Sequence, residues 1–355
     1  MTTLEILTFR TDGFVAMHAA GFQMHRRALR SSLDLTTWTT LYAGPHELPA
    51  RLRDSRADIA LVLTDFSTPV DLLREAFVAA RAAAPARKLV FFDTFDGTNT
   101  PCLPLLAHVD AYLKSKCLHP PEGYSREFEG GYVVTDYLSR TLGWGLEGWH
   151  FGSVAAPGDL SKIITGWSYG ASRGLRWLCR LNRLAPAPLA RRPIQLHARI
   201  TPPQRESKEW YERYRAFAAA AVEPLRSRFS TTPVRRVSRR AYLLEMRRCR
   251  LVFSPFGWGE LCLRDYEAVA SGCVLVKPDM SHLRTSPDIF VAGETYVPLR
   301  WDLSDLGQAC ERYANDPVAA GAIARAAQDR LHRYYEHGGF VADVRRLLGA
   351  LGIGR

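Results

Sequence analysis

The stretch from Arg250 to Pro278 holds the residue types best suited to gripping an anion and a sugar. A strand-like Leu251–Ser254 runs into Pro255, Gly257 and Gly259, and a helical pattern follows at once. Glycines at a strand–helix junction let backbone N–H groups approach an anion, and the helix N-terminus adds its positive dipole. Arg264 lies in the first turns of that helix, where a guanidinium can fork onto a diphosphate. Glu267 falls on the same face three residues later, and its carboxylate can accept two vicinal hydroxyls of a ribose or hexose. Gly272 closes the helix as a C-cap, and Val274–Val276 re-enters a sheet. Many Rossmann-like units carry a glycine-rich turn of this kind, and Arg264 and Glu267 also suit a plain helix-surface pair.

A second cluster follows a buried strand in the first half, at Asp93-Thr94-Phe95-Asp96-Gly97. Ligands of parallel sheets sit at the C-terminal ends of the strands. Asp93 or Asp96 there could take a proton from an attacking hydroxyl, although aspartates are also ordinary turn formers. His18, His25 and His46 are further candidate bases that nothing separates from structural histidines.

The elements that must position these groups alternate. Leu4–Phe9, Thr37–Tyr42, Asp58–Leu63 and Lys88–Phe92 read as strands; Phe22–Leu33, Glu47–Arg56 and Val70–Ala83 read as helices, with Gly13 and Gly21 assigned to a loop. Such alternation argues for an α/β fold with a parallel sheet. Residues 120–185 are irregular and rich in Gly, Trp and Tyr. The Pro/Arg segment 185–193 reads as a linker, after which the alternation restarts from Ile194 and ends in helices over Ser304–Asn315, Pro317–Glu336 and Phe340–Leu351. The expected organisation is two Rossmann-like lobes facing across a cleft, 1–186 and 187–335, with 336–355 as a C-terminal helix able to pack back on the first lobe. A chain of 355 residues, 47% hydrophobic and 23% charged, fits two globular cores.

Seven scattered cysteines without a C-x-x-C pair suggest neither a disulfide framework nor a zinc site. The start has no signal-like apolar region and no stretch reaches membrane-spanning length, so the expected location is cytoplasmic. Net charge is +11, and Arg213–Arg250 holds eleven arginines against Glu223 and Glu245. That run suits either solvated helix faces or peripheral contact with an anionic membrane at its inner face. Its aromatics are few, Tyr214, Phe217, Phe229 and Tyr242, and no nucleic-acid-binding module is visible, so no nucleic-acid partner is expected.

The segment from about Tyr242 to Tyr335 resembles the C-terminal lobe of GT-B-fold glycosyltransferases, specifically the "glycosyl transferases group 1" and CgeB-like set. The resemblance rests on Ser254-Pro255-Phe256-Gly257, Arg264-x-x-Glu267-Ala-x-Ala-x-Gly272, Val274-Leu275-Val276, Asp302-Leu303 and Asp316-Pro317. It implies a bacterial-type, cytoplasmic glycosyltransferase of glycan biosynthesis that moves a sugar from a nucleoside diphosphate sugar to a glycan, lipid-linked or small-molecule acceptor. No cofactor is implied beyond that co-substrate, and the Asp93-x-x-Asp96 spacing departs from the D-x-D metal motif, so no catalytic metal is expected. By resemblance Glu267 would hold the ribose and Arg264 the diphosphate. The first glutamate of the retaining E-x7-E pattern falls at Gly259, leaving Glu260 one residue late. The loop holding His197, Arg199, Arg205 and Lys208 would supply phosphate cations, Arg199 and Lys208 above all. Ser238 and Tyr242 would border the nucleobase, and Asp279 and His282 the transferred sugar. A nucleotide-sugar epimerase or hydrolase on the same fold, or a non-catalytic assembly protein, is the alternative.

Overall fold

The protein is described by a computed structural model covering residues 1–9, 13–203 and 207–353. The first lobe carries β1 (Thr2–Phe9), β2 (Leu35–Tyr42), β3 (Ile59–Leu63), β4 (Lys88–Asp93), β5 (Ala111–Lys114), β6 (Cys117–Leu118) and β7 (Ile163–Thr165). Six of these form one sheet in the order β2-β1-β3-β4-β5-β7, parallel throughout. β3 is buried along its whole length, as a strand covered on both faces must be. The covers on the first lobe are α1 (Gly13–Met24), α2 (Arg26–Leu33), α3 (Leu48–Arg53) and α4 (Val70–Ala83), with α5 (Val133–Arg140) and α6 (Arg173–Leu184) leading toward the second lobe.

The second lobe is a parallel four-stranded sheet built from β8 (Ile194–His197), β9 (Cys249–Phe253), β10 (Val274–Pro278) and β12 (Val297–Leu299), in the order β12-β10-β9-β8. Its helices are α7 (Trp210–Val222), α8 (Arg239–Met246), α9 (Leu263–Ala270), α10 (Leu306–Asn315) and α11 (Pro317–Glu336). The short β11 (Leu283–Arg284) leaves this lobe and pairs antiparallel with β6 of the first. The last helix, α12 (Gly339–Ala350), lies on the first lobe, where Phe340, Val344 and Leu347 join the core formed by Leu4, Leu61 and Phe92.

Two differences from the sequence reading have clear causes. The Gly13–Gly21 stretch is helix α1 rather than loop: Gly21 sits inside it because the Phe340 ring occupies the space a Cβ would need. The 185–193 segment is anchored, not slack. Arg192 is buried and donates to the carbonyls of Ala187 at 2.9 Å, Cys249 at 2.9 Å and Ser271 at 3.0 Å.

Candidate functional site

The loop after β9 is a joint between the lobes. Inside it, the Gly257 N–H donates to the Gly259 carbonyl at 3.0 Å. A Cβ on Gly259 would run into the carbonyl of Asp96 in the first lobe, so only glycine permits this approach. Glu260 is fully buried and reaches the same first-lobe loop, accepting from the Thr98 N–H at 3.0 Å and the Thr98 hydroxyl at 2.5 Å. His282 Nε2 lies 3.3 Å from Oε1, the oxygen that also accepts from the Thr98 hydroxyl. Burial pushes the Glu260 pKa up, but the contacts with His282 and Thr98 outweigh it and hold it below the ordinary value. The donor contacts expected of Gly257, Gly259 and Glu260 thus fall on residues already engaged within the protein. One amide is engaged inside the loop, one glycine is a contact surface, and the carboxylate is sealed away.

The two aspartates of the first lobe part company. Asp93 is buried at the end of β4, accepting from Tyr112 at 2.6 Å and from the Phe95 N–H at 2.9 Å, and pairing with Lys114 at 3.1 Å. It is buried among these partners and is not among the residues that line the crevice beside Asp96. Asp96 keeps 49% of its side chain exposed while accepting from Tyr169 at 2.6 Å and pairing with buried Lys116 at 3.3 Å. Desolvation opposes its charge, but Lys116 and Tyr169 outweigh that and lower its pKa, so it is ionised at neutral pH. Asp96 lines a cavity of about 420 Å³ at the C-terminal ends of β1, β3 and β4, closed on the far side by Trp258 of the glycine loop. This crevice lies where the strand order reverses. Among the histidines, His18 is buried and held neutral by burial and Lys116, its pKa lowered to about 3. His25 stacks on Phe340 and His46 is exposed beside Gly44.

The second cluster sits where α8 and α9 meet the end of β8. α9 begins with a capping box in which the Asp265 carboxylate accepts from the Cys262 N–H at 2.8 Å, while Lys277, also fully buried, pairs with Asp265 at 3.2 Å. The helix ends at Gly272, whose φ of 67° suits the left-handed cap. Arg264, partly exposed in the first turn, forms no ion pair among the described residues; Cys262, Tyr242, Asp265 and Glu267 are among the titratable groups acting on it. The Tyr242 ring meets His197 edge-on at 5.5 Å and carries the Arg239 guanidinium 5.7 Å above it. His197 is fully buried with no hydrogen bond to either ring nitrogen among the described residues, and burial followed by the Arg264 charge lowers its pKa to about 4. Glu267 is only 2% exposed and pairs with Arg239, which is itself 58% exposed. Burial raises the Glu267 pKa against the pull of Arg239. Arg239 therefore covers the carboxylate expected to read sugar hydroxyls.

The other residues expected at the donor site have partners of their own. Arg199 directs its donors into the protein, to Glu245 at 2.7 and 2.6 Å and to the carbonyls of Pro233 and Arg235. Lys208 is 84% exposed and pairs with Glu147 at 2.9 Å, and Arg205 lies outside the described residues. Asp279 accepts from Ser281 at 2.8 Å and Tyr296 at 3.0 Å, and His282 packs edge-on against Trp301 at 5.0 Å. Both belong to the loop's own scaffold. Ser238 caps α8 through the Ala241 N–H.

With this geometry in place, solved structures of similar shape identify the architecture. An alpha-glucosyltransferase in complex with UDP and a 13-mer DNA superposes with a TM-score of 0.51 at 9% identity, covering 98% of this chain and 99% of that one. The fold is GT-B. A glycosyltransferase from Rickettsia africae has a TM-score of 0.50 at 9% identity over 99% of this chain and 98% of its own. Sucrose-phosphate synthase from Thermosynechococcus elongatus has a TM-score of 0.50 at 10% identity over 99% of both chains. No family model matches the sequence, and no curated protein sequence matches it. Among the described residues no helix is long and apolar enough to cross a membrane.

Sequence reasoning passed over Lys116, Tyr169, Thr98, Trp258 and Arg239. One signal was legible: the protein has only six lysines, and two of them, Lys114 and Lys116, stand together at the end of a strand.

Proposed function

We propose that this GT-B protein moves a sugar from a nucleoside diphosphate sugar to a hydroxyl-bearing acceptor. The observation that carries the reading is Arg264, a guanidinium in the first turn of α9 with no ion-pair partner among the described residues. A diphosphate supplies the missing anion, and charge on the departing diphosphate is what such a group stabilises during transfer. Tyr242 and, buried against its ring, neutral His197 border the same position. Glu267 becomes available to the ribose once Arg239 swings outward, which its exposure permits. That the solved structures of this fold include an alpha-glucosyltransferase holding UDP supports the same choice of donor.

In this reading ionised Asp96, which lines the crevice of the first lobe, accepts the proton of the attacking hydroxyl. A separate crevice beside Asp96 favours transfer to an acceptor over hydrolysis or epimerisation, which need no second site. The reaction is proposed to run without a metal, its leaving-group charge met by Arg264. Contact with an anionic membrane belongs to the same proposal: exposed Arg235, Arg236 and Arg240 stand beside exposed Val234 and Leu244. A thermal-shift screen of nucleoside diphosphate sugars, followed by mass spectrometry of products, tests the reading. Stabilisation by at least one donor is expected; no response to any donor or free diphosphate contradicts it.

A further inference from the structure

The crevice beside Asp96 has a chemistry of its own. Phe151 meets Trp258 edge-on at 4.5 Å, and Phe14 meets Tyr169 at 6.2 Å, so aromatic rings from both lobes line it. Phe66 at the rim is 81% exposed and Phe14 is 61% exposed, an unusual amount of large apolar surface to leave in water. The only charged groups lining it among the described residues are two carboxylates, Asp65 and Asp96. Asp65 is turned to its own loop, where it accepts from Ser67 and Thr68. Lys116 lies behind Asp96, fully buried, so its charge serves the carboxylate and not a ligand.

From this we infer that the crevice binds an uncharged, hydroxyl-bearing ring compound, with its flat apolar face against the aromatic walls and a hydroxyl on Asp96. A volume of about 420 Å³ takes one or two rings. A phosphate-bearing compound meets two carboxylates there and, among the described residues, no lining cation, so like charge disfavours it. Both aryl rings and sugar rings present such a face. The role of this compound as acceptor rests on the glycosyl-transfer reading; its binding does not.

Titrating wild type with phenyl glucoside, methyl glucoside and phenyl phosphate by calorimetry tests the inference, with a nucleoside diphosphate titrated separately. Phe66→Ala removes an exposed wall residue and leaves the core intact, and circular dichroism checks folding. Phenyl glucoside is expected to bind, and Phe66→Ala to weaken it by roughly two- to twelvefold, the worth of one aromatic contact. Phenyl phosphate is expected to bind at least about tenfold more weakly. Methyl glucoside binding as well as phenyl glucoside assigns the site to a sugar face; its binding much more weakly assigns it to an aryl group, and both outcomes support the inference. Phenyl phosphate binding as tightly as phenyl glucoside, or phenyl glucoside failing to bind or losing nothing in Phe66→Ala, overturns it. Ring binding without diphosphate binding leaves this inference standing and removes the transferase reading; diphosphate binding without ring binding does the reverse.

Discussion

Gly259 of the second lobe lies directly against the main chain of Asp96 in the first, leaving no room for a Cβ. Two motifs far apart in sequence thus meet at one point, and the next residue, Glu260, locks them through Thr98. Gly259→Ala is expected to force the lobes apart at this joint and to cost about 1–3 kcal/mol, as overpacking does. Gly257→Ala, with nothing nearer than 4.0 Å to its Cβ position, serves as the tolerated control. Urea denaturation of both variants checks this; equal stability of the two contradicts it.

The same joint holds a buried carboxylate satisfied by two hydrogen bonds from Thr98 and by a contact with His282. Thr98→Val removes one hydroxyl donor from Glu260 while preserving shape, and leaves a buried anion short of a partner. A loss of about 1–3 kcal/mol is expected. Thermal unfolding measures it, and an unchanged midpoint rules out the proposed lock.

The two aspartates are expected to separate stability from function. Asp93→Asn breaks a fully buried pair with Lys114 and should cost about 3–5 kcal/mol. Asp96→Asn should change stability far less, since its side chain is half exposed, yet abolish most transfer. Denaturation midpoints together with product formation on the donor found by screening decide this. A fully active Asp96→Asn excludes it as the proton acceptor.

Much of the architecture was legible in the sequence because buried parallel strands and amphipathic helices write their periods openly. Val70–Ala83 and Pro317–Glu336 are helices with the limits the pattern gives. The α1 helix was not legible, since Gly21 signals a loop until Phe340, near the far end of the chain, is seen to require it. Residue types at the site were legible where chain neighbours decide them, as for Arg264 and the Gly272 cap. Partners were not. Nothing near Arg199 in sequence announces that Glu245 occupies it, nor near Glu267 that Arg239 covers it. Contacts between distant segments set those states, and local pattern carries no record of them.

Acid should destabilise the protein from about pH 6.5 downward. His18 and His197 titrate in the unfolded chain near 6.5 but in the folded protein at about 3 and about 4. Between those values the unfolded state binds more protons, so stability rises with pH across the window and falls as the pH is lowered. Two such groups give a slope approaching roughly 3 kcal/mol per pH unit. Urea midpoints at a series of pH values measure it, and His197→Gln should remove about half the slope. A flat profile between pH 6.5 and 4 disagrees with neutral, buried histidines.

Arg264 is proposed to stand ready for a diphosphate, and the donor site depends on it. Calorimetric titration of UDP into wild type and Arg264→Ala, with circular dichroism to establish folding, tests this most directly. Loss of one charge-assisted contact is worth roughly 1.5–3 kcal/mol, so the variant should bind about 10- to 150-fold more weakly. A folded Arg264→Ala that binds UDP as tightly as wild type, or a wild type that binds no nucleoside diphosphate at all, contradicts the account.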